Sequence, residues 1–265
     1  MTAAAKNWDR HVRDAETVAR GPGFVALRDR VLELASPQSG DIAVDLGAGT
    51  GLLTLALAPD VERVWAIDNS AGMVEYLRVR AESAELDNVR VVLASATHVP
   101  LVDDIADLVV SNYCFHEMTD VDKGFALSEA SRLLRAGGRL VIGDMMFTLS
   151  PLSSRDRRIV AGKLRAIARR GIPGLLRIVK NAARVATGRW EHPSTADWWH
   201  TALAEHGFDE ICLELFEHEG GIVVARRLER ELNAMPTSSA TGPKVDLSVA
   251  TPRAGADSRP RSRAA

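Results

Sequence analysis

Asp45 stands two residues ahead of the first glycine in Val44-Asp45-Leu46-Gly47-Ala48-Gly49-Thr50-Gly51, and a second acid, Asp68, follows 21 residues after Gly47. Each acid sits at the end of a short apolar run, 42–46 and 64–67. Glycines where a strand hands over to a helix permit a tight turn and let a ligand approach the main chain. An acid at the end of the next strand lies where a doubly wound sheet accepts hydrogen bonds from ribose hydroxyls. Dinucleotide sites share this logic, but their G-x-G-x-x-G fingerprint puts the third glycine three positions after the second. Here it comes two positions after. An acid beside a pyrophosphate would be repulsive, whereas beside a cation it is favourable. The pattern therefore predicts a positively charged nucleoside.

S-adenosylmethionine meets that description, having no phosphate but a sulfonium and an ammonium. Methyl transfer from a sulfonium is an in-line displacement that needs positioning and, for some acceptors, a base. Candidate bases lie where strands of an open sheet end. His116 follows Ser111-Asn112-Tyr113-Cys114-Phe115, and Asp144 follows the apolar run 139–142. Either could act as base or hold its loop through hydrogen bonds. The seven histidines are scattered, with no i, i+4 pair beside an acid, so no metal is assigned.

The elements that must position these residues alternate along the chain. Apolar runs at 42–46, 64–67, 89–93, 106–110 and 139–142 read as strands. Helical periodicity fills 24–34, 52–58, 70–83 and 122–134. Such alternation predicts an α/β fold, a doubly wound parallel sheet covered on both faces. Runs 208–216 and 221–225 flank Glu219-Gly220 and predict an antiparallel C-terminal hairpin.

With these motifs in view, residues 38–147 resemble the class I S-adenosylmethionine-dependent methyltransferases, particularly the small-molecule and quinone-type branch. The stretches that carry the likeness are VDLGAGTG (44–51), WAIDNSAGMVEYLR (65–78), ASATHVPL (94–101), ADLVVSNYCFHEM (106–118) and LLRAGGRLVIGDMM (133–146). The resemblance implies a Rossmann-like sheet of seven strands. It implies that Asp45, Gly47, Ala48 and Gly49 hold the methionine part of the cofactor, that Asp68 and Asn69 hold the ribose, and that Met73 packs on the adenine. The family often has an acid after the third strand to bind the adenine amino group. This chain has Ser95, followed by Ala96, so a hydroxyl or a backbone N–H must serve. Asn112 is the corresponding candidate near the methionine moiety, and the segment with Trp8 and His11 is expected to fold over the cofactor.

The chain has 265 residues, 46% of them hydrophobic, enough for one sizeable core, and a net charge of −2 that carries no nucleic-acid signature. Within 155–189, however, eleven Arg or Lys accompany one acid, Asp156. This insert, about 150–195, is expected to form a helical lid, with Ile159, Val160, Leu164 and Ile167 repeating on one face and Leu175 to Ala186 on another. Three uses are open: a lid packed on the sheet domain, a cover for a greasy acceptor, or a contact with anionic membrane lipids. Nucleic acid is disfavoured because no aromatics interleave with the arginines. Residues 1–37 read as an N-terminal helical segment, 38–227 as the methyltransferase domain and 228–265 as a disordered tail. The absence of a signal peptide or an apolar span of about 18 residues predicts a cytoplasmic protein, with the reduced thiols Cys114 and Cys212 packing as small core residues. The expected function is methylation of a small, apolar acceptor (quinone, polyketide or lipid-like). The alternatives are a non-catalytic cofactor-binding protein of the same fold and a nucleotide-dependent oxidoreductase. Oligomeric state is not readable.

Overall fold

In the computed structural model, residues 8–147, 152–169, 192–216 and 219–228 are described. A 3-10 turn, Trp8–Arg10, leads into α1 (Val12–Ala19) and α2 (Pro22–Ala35). The Rossmann-type alternation follows: β1 (Ile42–Leu46), α3 (Thr54–Leu57), β2 (Arg63–Asp68), α4 (Ala71–Ser83), β3 (Val89–Leu93) and β4 (Ala106–Asn112). After a 3-10 turn, Phe115–Glu117, come α5 (Asp120–Leu133), β5 (Leu134–Met145) and α6 (Ser154–Ala168). The fold closes with α7 (Ala196–Glu205), β6 (Phe208–Leu215) and β7 (Gly220–Arg227).

The seven strands form one sheet in the order β3-β2-β1-β4-β5-β7-β6. The pairs β2–β3, β1–β2, β1–β4 and β4–β5 are parallel, and β5–β7 and β7–β6 are antiparallel. This is the architecture expected from the alternating runs and the C-terminal hairpin. The order reverses direction between β1 and β4. At that switch point the connections leave in opposite directions, opening a crevice at the carboxyl ends of the strands.

Apolar residues on both faces explain why the central strands are buried throughout. On one face Leu127, Ala130 and Leu133 of α5 and Trp199 and Leu203 of α7 pack on Val44, Val109 and Ile142. On the other, Leu27, Val31 and Ala35 of α2 pack on Ala43, Leu108, Val110 and Val141. Helix starts are fixed by hydroxyl caps: Ser70, Thr119, Ser153 and Thr195 accept from the N–H groups of Met73, Asp122, Asp156 and Trp198.

Three expectations need correction. The helix expected over 52–58 is only four residues of α-helix followed by a 3-10 turn at Ala58–Asp60, because Pro59 has no N–H to continue the ladder. Cys212 is exposed on β6 rather than a core residue, and Cys114 is half-buried; both are free thiols. On α6, Ile159 is buried as expected, but Leu164 is exposed, so the apolar face is interrupted. The second insert helix and the C-terminal tail lie outside the described residues. No helix among the described residues is long and apolar enough to cross a membrane.

Leu108 is fully buried in β4. Leu108→Ala is expected to lower unfolding free energy by about 2–5 kcal/mol in urea titration. Leu93→Ala, at a position 56% exposed, should shift it by less than about 0.5 kcal/mol; similar losses at both sites would contradict the assigned core.

Candidate active site

Parallel pairing sets the strand ends side by side. Asp45 of β1 pairs in register with Ala66 of β2 and Val110 of β4, Asp68 of β2 pairs with Leu93 of β3, and Asn112 of β4 pairs with Gly143 of β5. Crossing the edge, the candidates come in the order Ser95 and Ala96, Asp68 and Asn69, the glycine loop, Asn112 to His116, then Asp144. Four interstrand steps of about 4.8 Å make a strip of roughly 19 Å, long enough for a nucleoside with an amino-acid arm.

The glycine loop is held from beneath by β2. The N–H groups of Gly47 and Ala48 both donate to the Ile67 carbonyl, at 2.8 and 2.9 Å. Gly47 has φ 76°, and a Cβ there would lie 2.1 Å from Cys114 Sγ. Only glycine lets the loop and the turn after β4 come this close. The Gly49 N–H donates to Asp68 Oδ2 at 2.8 Å, and the Ser70 N–H donates to Asp68 Oδ1 at 2.9 Å. A carboxylate has about four lone-pair sites, so Asp68 keeps acceptor capacity beyond the backbone bonds from Gly49, Ser70 and Asn69.

Asp45 is 1% exposed and accepts from Thr54 Oγ1 at 2.5 Å. Burial, with a smaller contribution from the charge of Asp68, pushes its carboxyl up to about 7 despite the Thr54 bond. Asp68 is also raised, by burial and then by the charge of Asp9, against the bonds from Ser70, Gly49 and Asn69. The Cys114 thiol, pinned against the loop, is pushed well up by burial and by Asp68, Asp144, Asp45 and Glu117. Acids thus gather around the glycine loop, and a cation bound there would favour their ionised forms.

Asn69 is exposed after β2, whereas Met73 is buried in the first turn of α4. The Ser95 hydroxyl is engaged in a local turn with Thr97, 2.8 Å from Thr97 Oγ1, and Ala96 is buried beside it. Both amide atoms of Asn112 are buried with no hydrogen-bond partner. They lie on the α2 side, near Leu27, Val31 and Gly143. Asp9 accepts from the Ser70 hydroxyl at 2.6 Å and the Gly72 N–H at 2.9 Å, tying the Trp8–Arg10 turn to the start of α4.

The two base candidates meet. His116 Nδ1 lies 2.6 Å from Asp144 Oδ1, and the His116 backbone N–H donates to Asp144 Oδ2 at 3.0 Å. The Met145 N–H donates to Asp144 Oδ1 at 2.6 Å. His116 and Asp144 are buried, and Glu117 Oε1 lies 3.8 Å from His116 Nε2. With two backbone N–H groups already donating to it, Asp144 acts as an acceptor, and Nδ1 at 2.6 Å fits it as N–H, the tautomer that puts the imidazole lone pair on Nε2. Tyr113, in the left-handed region at φ 53°, stacks on Phe24 at 4.2 Å and meets His116 edge-on at 6.1 Å. Burial, Glu219 and Asp144 raise its phenol, keeping it a neutral donor.

A methyltransferase-domain model matches residues 44–142. A demethylmenaquinone methyltransferase of Clavibacter sepedonicus is 35% identical over 201 residues, covering 72% of this chain and 74% of that protein. The chain belongs to the class I S-adenosylmethionine-dependent methyltransferases. An uncharacterized methyltransferase of Geobacillus thermodenitrificans is 29% identical over 182 residues, covering 68% of this chain and 74% of that one. A solved S-adenosylmethionine-dependent methyltransferase from Aquifex aeolicus shares the fold at 17% identity and TM-score 0.58, covering 83% of this chain and 98% of that one. The cofactor of this methyltransferase is therefore S-adenosylmethionine. The residues fit it: acids at the strand ends for the sulfonium and ammonium, a glycine loop at Gly49 that nothing but its own backbone crowds, and an orphaned amide at Asn112.

Sequence reasoning missed Thr54, Tyr113 and the hydrogen-bonded strap at residues 192–195. Thr54 follows Asp45 by nine residues in an ordinary apolar helix, so its role as partner has no local signature.

A carboxyl with a raised folded-state pKa keeps its proton in the folded chain where the unfolded chain has lost it. Stability of the ligand-free protein is then highest at low pH within this window, falls as pH rises from about 4 to about 7, and levels off above. Asp45→Asn should flatten most of that slope in urea titrations across the window; an unchanged slope would show that another group causes it.

Proposed function

We propose that this methyltransferase acts on a hydroxyl-bearing, small and apolar acceptor of the quinone, polyketide or lipid-like kind. The observation that carries the reading is the buried His116–Asp144 pair at the ends of β4 and β5, beside the glycine loop and the aromatic side chains of Phe24 and Tyr113. The relatives named as demethylmenaquinone methyltransferases, from Clavibacter sepedonicus and Thermobifida fusca, support a quinone-like acceptor.

In this reading Asp45 and the glycine loop take the methionine arm, with Asn112 as a further contact. Asp68 and Asn69 take the ribose, and Ser95, Ala96 and Met73 surround the adenine. When bound, the cofactor supplies an electrophilic methyl group on a sulfonium. His116 Nε2 accepts the acceptor's hydroxyl proton, which raises electron density on the nucleophilic atom. Asp144 holds Nδ1–H throughout, keeps the ring in one tautomer and stabilises the imidazolium that forms. Tyr113, a neutral phenol, donates a hydrogen bond to the acceptor oxygen. Water is excluded by the burial of the pair, which preserves the strength of these charges.

The basic insert fits the same acceptor class. Arg157, Arg158 and Arg165 are exposed on α6, with Leu152 and Leu164 exposed on the same segment. Basic and apolar groups together suit the anionic surface of a membrane in which a greasy acceptor dissolves.

With a reduced, short-chain demethylmenaquinone as acceptor, His116→Gln is expected to lower kcat by about 10²–10⁴-fold, the usual worth of a general base. Asp144→Asn should lower it as well, by disturbing the tautomer, while S-adenosylhomocysteine affinity changes little in either variant. A His116→Gln enzyme with full kcat would remove the base from this reading, and no turnover of any apolar acceptor by the unaltered enzyme would remove the acceptor class.

A further inference from the structure

Lys123 is the most deeply buried cation among the described residues: its side chain on α5 is 1% exposed. A lysine ammonium is costly to bury unless its hydrogens find acceptors. Here all three do, with Asp120 Oδ1 at 2.9 Å, the His192 carbonyl at 2.6 Å and Ser194 Oγ at 2.6 Å. The Trp198 ring lies 5.0 Å from the same nitrogen. Two of these three acceptors belong to residues 192–195, the strap that joins the end of the insert to α7.

The same strap reaches the catalytic turn. The His192 N–H donates to the His116 carbonyl at 2.7 Å. His116 is thereby held on two sides of its own backbone, its N–H on Asp144 and its C=O on His192, while Nδ1 meets Asp144. At its other end the insert starts a few residues past Asp144. There Arg155 donates to the carbonyls of Met146, Phe216 and Gly220, at 2.6, 2.7 and 3.0 Å. The insert therefore leaves the sheet beside Asp144 and returns beside His116, two residues bonded to each other.

We propose that Lys123 is a positioning residue for His116. Its ammonium clamps the His192 carbonyl and the Ser194 hydroxyl, so that the His192 N–H stays on the His116 carbonyl and the imidazole stays on Asp144. Seating of the insert's return strap and assembly of the His116–Asp144 pair are then one event. Without the clamp the strap loses its anchor in the interior, and the tie from the His192 N–H to the His116 carbonyl loosens. The inference rests on the reading of His116 as a base held in one tautomer by Asp144.

The test uses the full chain labelled with 15N-histidine and saturated with S-adenosylhomocysteine, with His116 assigned by its loss in His116→Gln. In the unaltered protein His116 should show a single tautomer protonated at Nδ1, with that proton shifted strongly downfield. In Lys123→Met the downfield proton should broaden or vanish and the tautomers mix. S-adenosylhomocysteine affinity should stay within about twofold, because Lys123 shares no partner with the glycine loop. Unchanged His116 signals in a folded, ligand-binding Lys123→Met would overturn the proposal. Should that variant not fold, Ser194→Ala removes one acceptor and His192→Pro removes the linking N–H, and the same two results decide. Mixed tautomers in the unaltered protein would sink the reading of the pair itself, and the proposal with it.

Discussion

Parallel pairing of β1 with β2 sets Asp45 and Asp68 at neighbouring strand ends on one edge of the sheet, Asp45 buried and Asp68 half-buried. Burial makes a concentration of negative charge costly to the empty protein, and it is visible in the raised carboxyls of Asp45 and Asp68. Much of the site follows from that tension. The glycine loop supplies N–H groups to the charges it can reach, the Trp8–Arg10 turn covers the start of α4, and a cationic ligand lowers the electrostatic cost that the protein alone leaves standing. A dinucleotide would add negative charge to the same place.

The second half of the site depends on long-range contacts. His116 and Asp144 are 28 residues apart and meet only because β4 and β5 are adjacent parallel strands whose ends coincide. Lys123, His192 and Arg155 then tie the two ends of the insert to that junction. The pair thus sits where the sheet meets the two ends of the insert, a segment outside the alternating strand–helix pattern of the domain.

What could be read from the chain alone divides along the same line. The strands, the glycine loop, Asp45 and Asp68 were legible because each is a local pattern: a run of apolar residues, a spacing of glycines, an acid at a strand end. His116 and Asp144 could be nominated singly as residues at the rim, but nothing local announces their bond. Lys123 was illegible for a sharper reason, since a lysine three residues after an aspartate reads as a solvated helical pair. Its burial is decided by the strap some seventy residues later. The exposed Cys212 and the shortened α3 failed in the opposite sense, tertiary placement and one proline overriding a compositional rule.

The acidic strand ends at Asp45 and Asp68 bind the cationic nucleoside of a methyltransferase in this account. Calorimetric titration of S-adenosylmethionine into the unaltered protein and into Asp68→Ala tests it most directly. The account predicts saturable binding by the unaltered protein that is lost or weakened at least about tenfold in the variant, a difference of about 1.4 kcal/mol. Equal affinity in both proteins, or no binding by the unaltered one, would contradict it.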